Sequence, residues 1–302
     1  MPPIPGFSRL RAAKVGGCFI AAAAILTISS VRPVLGQTGP VTLRYKFHPG
    51  DITKYTLNMS MHMNLGPQSA IATTISADQS QKVIKVLPNG NGVIQTITTN
   101  AKTLINGQPS ASTMNVPVLT STLDPYGHSI SIKGLPQTNN FTPMVGGGMG
   151  ANGLAGFATG LPKRPIRVGQ SWNSHVKMPA GMGGATVTAS ARSTLIRFEK
   201  VGRYRTARIR TIVNVPIHVN VGAQGKPQAT GAGALAVTTG SGTFTVDTNF
   251  AIAEGMMIRT SGSGAMTMRL HLNPQLETSQ QSNPFAEGPI HITMSMSMTM
   301  VQ

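Results

Sequence analysis

Only one cysteine, Cys18, occurs in 302 residues, and it lies near the N-terminus. Beyond residue 36 the chain therefore has no thiol, no disulfide framework and no thiolate metal site. Acidic residues are nearly as scarce, with 8 Asp and Glu against 25 Lys and Arg, a formal charge of +17. Paired-carboxylate hydrolysis needs two carboxyls within ~5 to 10 Å. The available ones, Asp51, Asp78, Asp124, Glu199, Asp247, Glu254, Glu277 and Glu287, are dispersed, and several fall in turns. Aromatics make up 5% of the chain. That is too few for a base-stacking platform on nucleic acid, or for the aromatic girdles of an outer-membrane barrel. No G-x-S-x-G, H-E-x-x-H or Walker A loop occurs. Gly148 to Gly153 fits G-x-G-x-x-G but lacks the preceding strand, the following helix and the downstream acid of a dinucleotide site.

Long apolar runs are also missing, except one. Val15 to Ile28 follows Arg9, Arg11 and Lys14 and ends before Arg32-Pro33. The run is shorter than the ~20 residues that span a bilayer. It reads as a cleavable export signal over residues 1–36, cut after Val34-Leu35-Gly36; a retained anchor is the rival reading. Its removal takes four basic groups and no acid, so the remainder stays strongly basic and suited to anionic partners. For an exported chain, periplasmic or extracellular and associated with the envelope, these are lipid head groups or envelope polymers rather than nucleic acid.

What is present is a period of two. Tyr55, Leu57, Met59, Met61, Met63 and Leu65 alternate with polar residues, as do Val41, Leu43, Tyr45 and Phe47. From Ala207 to Val221 one parity is apolar, and further strands are expected at Thr243–Ile252, Ala265–Leu272 and Ile290–Val301. Turn residues punctuate them at His48-Pro49-Gly50-Asp51, Leu87 to Gly92, Asp124-Pro125-Tyr126-Gly127 and Ala253-Glu254-Gly255. No apolar repeat at helical spacing occurs after the signal. Ile75 to Gly90 aligns without gaps to Val187 to Gly202, each a strand leading into a glycine turn. The fold expected is all-β and antiparallel: a strongly curved sheet, half-barrel or sandwich built from two related halves, 37–143 and 161–302. A glycine-rich linker, residues 144–160, separates the halves, and a polar link, Asn273 to Pro289, precedes the last strand.

Leu43-Arg44-Tyr45-Lys46-Phe47-His48-Pro49-Gly50-Asp51 with Tyr55, and later Val168-Gly169-Gln170-Ser171-Trp172, resemble an uncharacterised family of exported bacterial β proteins. The pattern of that family is an aromatic-rich strand leading into Gly-Asp, then Val-Gly-Asp-x-Trp. The resemblance implies export and an all-β fold, and no activity. Gln170 stands where the family has Asp, so no shared acidic function is carried over to that turn. At the level of fold alone, the chain is more loosely similar to the periplasmic lipoprotein-carrier half-barrels.

Two features carry functional expectations. Met59, Met61, Met63, Met266, Met268, Met294, Met296 and Met298 set thioethers on single strand faces. Thioethers suit Cu(I), but neighbours at i and i+2 lie ~6.5 to 7 Å apart, and His62 and His291 have the opposite parity from the adjacent methionines. Methionine as an adaptable apolar surface is the better reading, and no metal or cofactor is expected. Around Gly202 lie Arg197, Arg203, Arg205, Arg208 and Arg210, a candidate anion-docking face. The sequence thus points to a non-enzymatic, extracytoplasmic binding protein holding a lipid-like or other hydrophobic ligand on a methionine and aliphatic concave face. The alternative is a structural or adhesive envelope protein that grips anionic polymer through those arginines.

Overall fold

A computed structural model describes residues 39–64, 70–110, 117–134, 160–179, 186–222, 234–272 and 288–301. The expected signal, nearly all of the glycine-rich stretch with its G-x-G-x-x-G sequence, and most of the link before the last strand lie outside these residues. The described segments belong to one compact unit, Gln37–Gln302.

No helix occurs among the described residues. Twelve strands form one sheet: β1 (Ile52–Asn64), β2 (Ala70–Val86), β3 (Gly92–Ile105), β4 (Gln108–Pro109), β5 (Leu119–Leu123), β6 (Ser129–Lys133), β7 (Ser171–Pro179), β8 (Thr186–Val201), β9 (Tyr204–Gly222), β10 (Ala234–Ala251), β11 (Met256–Leu272) and β12 (Ile290–Met300). Their order is β6-β5-β3-β2-β1-β12-β11-β10-β9-β8-β7, with the short β4 folded back on β3. Asn106 (φ 50) and Gly107 (φ 78) make the tight β3–β4 turn, both residues in the left-handed region that such a hairpin requires. Every pair is antiparallel, and only β1 with β12 joins strands far apart in sequence.

The long strands bury alternate side chains on one face, apolar throughout on β1 and β12. Tyr55, Leu57, Met59, Met61 and Met63 are buried on β1 while Asn58, His62 and Asn64 are exposed. The same alternation runs from Ile290 to Met300 on β12. Because the side-chain period is two, strict alternation fixes which residues lie inward once the register is set.

The sheet curls. β6 and β7 are its opposite edges, yet both approach the same two residues: Trp172 Nε1 at the start of β7 donates to Gly160 O (2.6 Å), and Leu161 N donates to Tyr126 O (2.7 Å) in the β5–β6 turn. Register shifts at Ser76/Asp78, Leu195/Arg197 and Asn249/Phe250 insert bulges that increase local twist and bend strands inward.

The alternating segment Val41–Phe47 is not a ladder strand as expected. It makes one bridge, Val41 with Ile166, and then donates Tyr45 N to Pro125 O and Lys46 N to Gly255 O. It therefore crosses beneath the curled sheet as a floor. Leu43, Leu161, Ile166, Leu195, Ile209 and Phe250 pack there as a second core. Tyr45 stands edge-on to Phe250 with ring centroids 5.1 Å apart, and its burial pushes the phenol pKa up to about 12. Gly255 (φ 67) is required at the contact, since a Cβ would collide with the backbone of Arg44 and Lys46.

Candidate ligand-binding interior

Three adjacent strands carry the methionines. Register places Met59 opposite Met296 and Met61 opposite Met294, with Leu57 opposite Met298 and Met63 opposite Ile292. On the other side of β12, Met266 pairs with Ile292 and Met268 with Ile290. All eight candidate methionines share the inward face and are between 1% and 9% exposed. They join Ile75, Val213, Val215, Phe244 and Val246 in the main core.

Glycine makes room for them. Gly240 and Gly242 on β10 and Gly262 and Gly264 on β11 occupy inward register positions opposite Met268, Met266, Met296 and Met294. A Cβ on Gly264 would overlap the Phe244 ring, so that ring covers the bare backbone. Inward glycine in a strand marks close approach of a neighbouring side chain, and here the neighbours are thioethers and one phenyl ring.

The flanks of the same face are polar. Thr73, Gln79, Thr96 and Ser121 are buried on β2, β3 and β5, and Ser193 and Thr211 on β8 and β9. Ser193 Oγ and Thr211 Oγ1 bond each other at 2.9 Å, as do Thr248 and Thr260 at 3.0 Å. Tyr55 Oη donates to Met257 O at 3.0 Å, and burial, with a smaller contribution from Tyr45, pushes the Tyr55 phenol pKa up. Among the described residues, four buried atoms have no partner: Gln79 Nε2, Thr98 Oγ1, Thr103 Oγ1 and Ser174 Oγ. Sequence reasoning did not single these out. Their signal is parity, since Gln79 falls in step with Ile75 and Ala77 on β2.

The outer face differs throughout. Ser60, Ser295, Ser263 and Thr245 form one cross-strand row of hydroxyls. With His62 and Thr243 they line a shallow groove of ≈ 480 Å³. Thr293, Gly264, Ala265 and Met294 complete its lining.

The five candidate arginines sit on the β8–β9 hairpin and the strands beside it, but most are engaged. Arg197 pairs with Glu199 at 2.7 Å, and Arg208 and Arg210 both pair with Asp247 at 3.0 Å. Arg203 lies over the Tyr204 ring and Arg205 over Phe198. The hydrogen bond from Arg210 lowers the Asp247 pKa against a smaller penalty from burial, helped by Arg208. At Glu199 partial burial pushes upward, but hydrogen bonds from Asn249 and Arg197 and the nearby positive charges outweigh it, so its pKa is lowered. Glu199 is the acid within the hairpin itself, and Asp247 joins it from β10.

Asp124 is a turn residue, as its position suggests. Its Oδ1 accepts from Tyr126 N and His128 N, and its Oδ2 contacts His128 Nδ1 at 2.8 Å. Among the described residues no three His, Cys, Asp or Glu side chains cluster to hold a metal, and no helix is long and apolar enough to cross a membrane.

No family model matches this chain, and no curated protein matches it. Among solved structures it is similar to a lipovitellin chain described under "lipid-protein interactions in lipovitellin", with 11% identity and a TM-score of 0.46. The similarity covers 85% of this chain but only 25% of that one, so the chain spans about a quarter of its neighbour's length.

Proposed function

We propose that this chain is a non-enzymatic, extracytoplasmic binding protein that takes up a lipid-like or other hydrophobic ligand against its inward methionine and aliphatic face. The observation that carries the reading is the thioether block itself: methionines of β1, β11 and β12 in cross-strand contact, set against four inward glycines. An unbranched thioether chain has three rotatable bonds and re-packs with little strain. A core of this composition yields space to an apolar guest more readily than one of branched aliphatics, whose χ1 angles are restricted.

The alternative, an anionic polymer held by the arginine face, is less well supported, because Arg197, Arg208 and Arg210 already spend their charge on Glu199 and Asp247. Salt separates the readings: binding by apolar burial changes little between low and high ionic strength, whereas surface ion pairing is screened. The test is extraction and mass spectrometry of protein purified from its native envelope, with titration of the stripped protein by fluorescent acyl and alkyl probes. Saturable, salt-insensitive binding is expected. No copurified apolar molecule together with no binding of any probe overturns the proposal.

A further inference from the structure

The inward face carries no charge among the described residues. Every Lys, Arg, His, Asp and Glu on the long strands either takes the outward parity or sits at the rim beside the turns. Tyr55 on this face and Tyr45 on the floor beneath it stay protonated through the physiological range, because burial holds both pKa values up. A buried carboxylate or phosphate would find no counter-ion here, and an unpaired buried charge is among the costliest arrangements a protein can hold.

Yet the same face holds hydrogen-bonding capacity that nothing uses. Gln79, 1% exposed, accepts from Gln81 through Oε1 and leaves its Nε2 without an acceptor. Thr98 lies directly opposite Gln79 on β3, and its Oγ1 is also unpartnered. Thr103, opposite Ile75, repeats the pattern further along β3. Native interiors rarely leave such groups orphaned, and each one calls for a partner. Through the register Gln79 is followed by Tyr55 and then Met300, and Thr103 by Ile75 and then Met59. At ~4.8 Å per strand, Gln79 and Thr103 lie ~10 Å from these thioethers and Thr98 ~14 Å, within the length of a short acyl segment.

Resting on the binding reading above, we infer that the ligand is a neutral amphiphile. It is an acyl or alkyl chain ending in an uncharged acceptor such as an ester, amide or hydroxyl, which the Gln79 amide and the Thr98 hydroxyl recognise while the chain lies along the methionine block. Free fatty acids and anionic phospholipid heads are excluded from the buried end.

The test uses the full chain, stripped of lipid, and three probes of equal chain length at mildly alkaline pH: a fatty acid, its methyl ester and a fluorescent alkane. The ester is expected to bind at least about tenfold tighter than the ionised acid. Gln79→Leu should weaken ester binding by about tenfold, the value of one hydrogen bond, and leave the alkane unchanged. Thr98→Val should act the same way, more weakly, and stands in if Gln79→Leu does not fold. Acid binding as tight as ester binding overturns the inference and leaves the hydrophobic reading intact. So does ester affinity that survives both substitutions, which would mean that the orphaned groups hold water only. If none of the three probes binds, the proposed function itself fails.

Discussion

Asp247 is an acid engaged by two arginines at once. It ties Arg208 and Arg210 across from β10 to β9, through three bonds of 3.0 Å. In the folded protein it titrates below the ordinary carboxylate value of about 4. Between the folded and unfolded pKa values the unfolded chain binds the extra proton, so this stabilisation is complete above about pH 4 and is lost as pH falls through the lowered value. Glu199 adds to the same acid limb. Urea midpoints measured between about pH 2 and pH 7 should therefore fall steeply at the acid end. Asp247→Asn should flatten that limb and cost about 1 kcal/mol at neutral pH, screening of a partly exposed pair included. An unchanged acid limb in the variant would show that the pairs contribute nothing. The partnership was not legible beforehand, because it joins residues 37 and 39 apart. Which face each methionine takes was legible, since parity alone decides it.

Among the elements, β10 and β11 carry the clearest packing device. Phe244 lies over Gly264, where a side chain would overlap the ring. Gly264→Ala must move the ring or the strand, and overpacking of this kind costs roughly 1 to 3 kcal/mol. Gly39, whose Cβ would meet nothing within 4 Å, supplies the control, and Gly39→Ala should be neutral. Equal unfolding midpoints for the two variants would contradict the packing described. These elements also show where reading the chain stops. Alternation located β1 and β12 within a few residues, but only the C-terminal halves of β10 and β11, which begin at Ala234 and Met256. It assigned Val41–Phe47 to a strand as well, because a floor that buries every second side chain has the same pattern. What separates the two is hydrogen bonding: the floor shares its amides among Ile166, Pro125 and Gly255, and no local pattern encodes three distant partners. Gln79 and Thr98 were overlooked for a related reason. A polar residue in step with an apolar row is read as tolerated until burial shows that it has no water.

Across the molecule, the strand order becomes sequential if it is read from β7 to β12 and then from β1 to β6. The natural chain breaks this run between β12 and β1, which pair along ten residue positions from Tyr55–Met300 to Asn64–His291. A circular permutant joined between the present ends and opened between β6 and β7 would pair only sequence neighbours, apart from the small β4 flap. It should keep the sheet and refold faster than the natural chain, since closing long loops slows folding. Stopped-flow refolding tests this, and an equal or slower rate would show that β1–β12 pairing is not the limiting step.

That same seam has a bearing on biosynthesis. A polypeptide emerging N-terminus first presents β1 early, with a bare hydrogen-bonding edge and a row of sulfur-bearing side chains, while its mate comes only after β2 to β11 have been made. Until that mate arrives the growing chain offers a sticky ribbon to any neighbour able to add a strand, which makes this ribbon the place where a chaperone's protection would matter most.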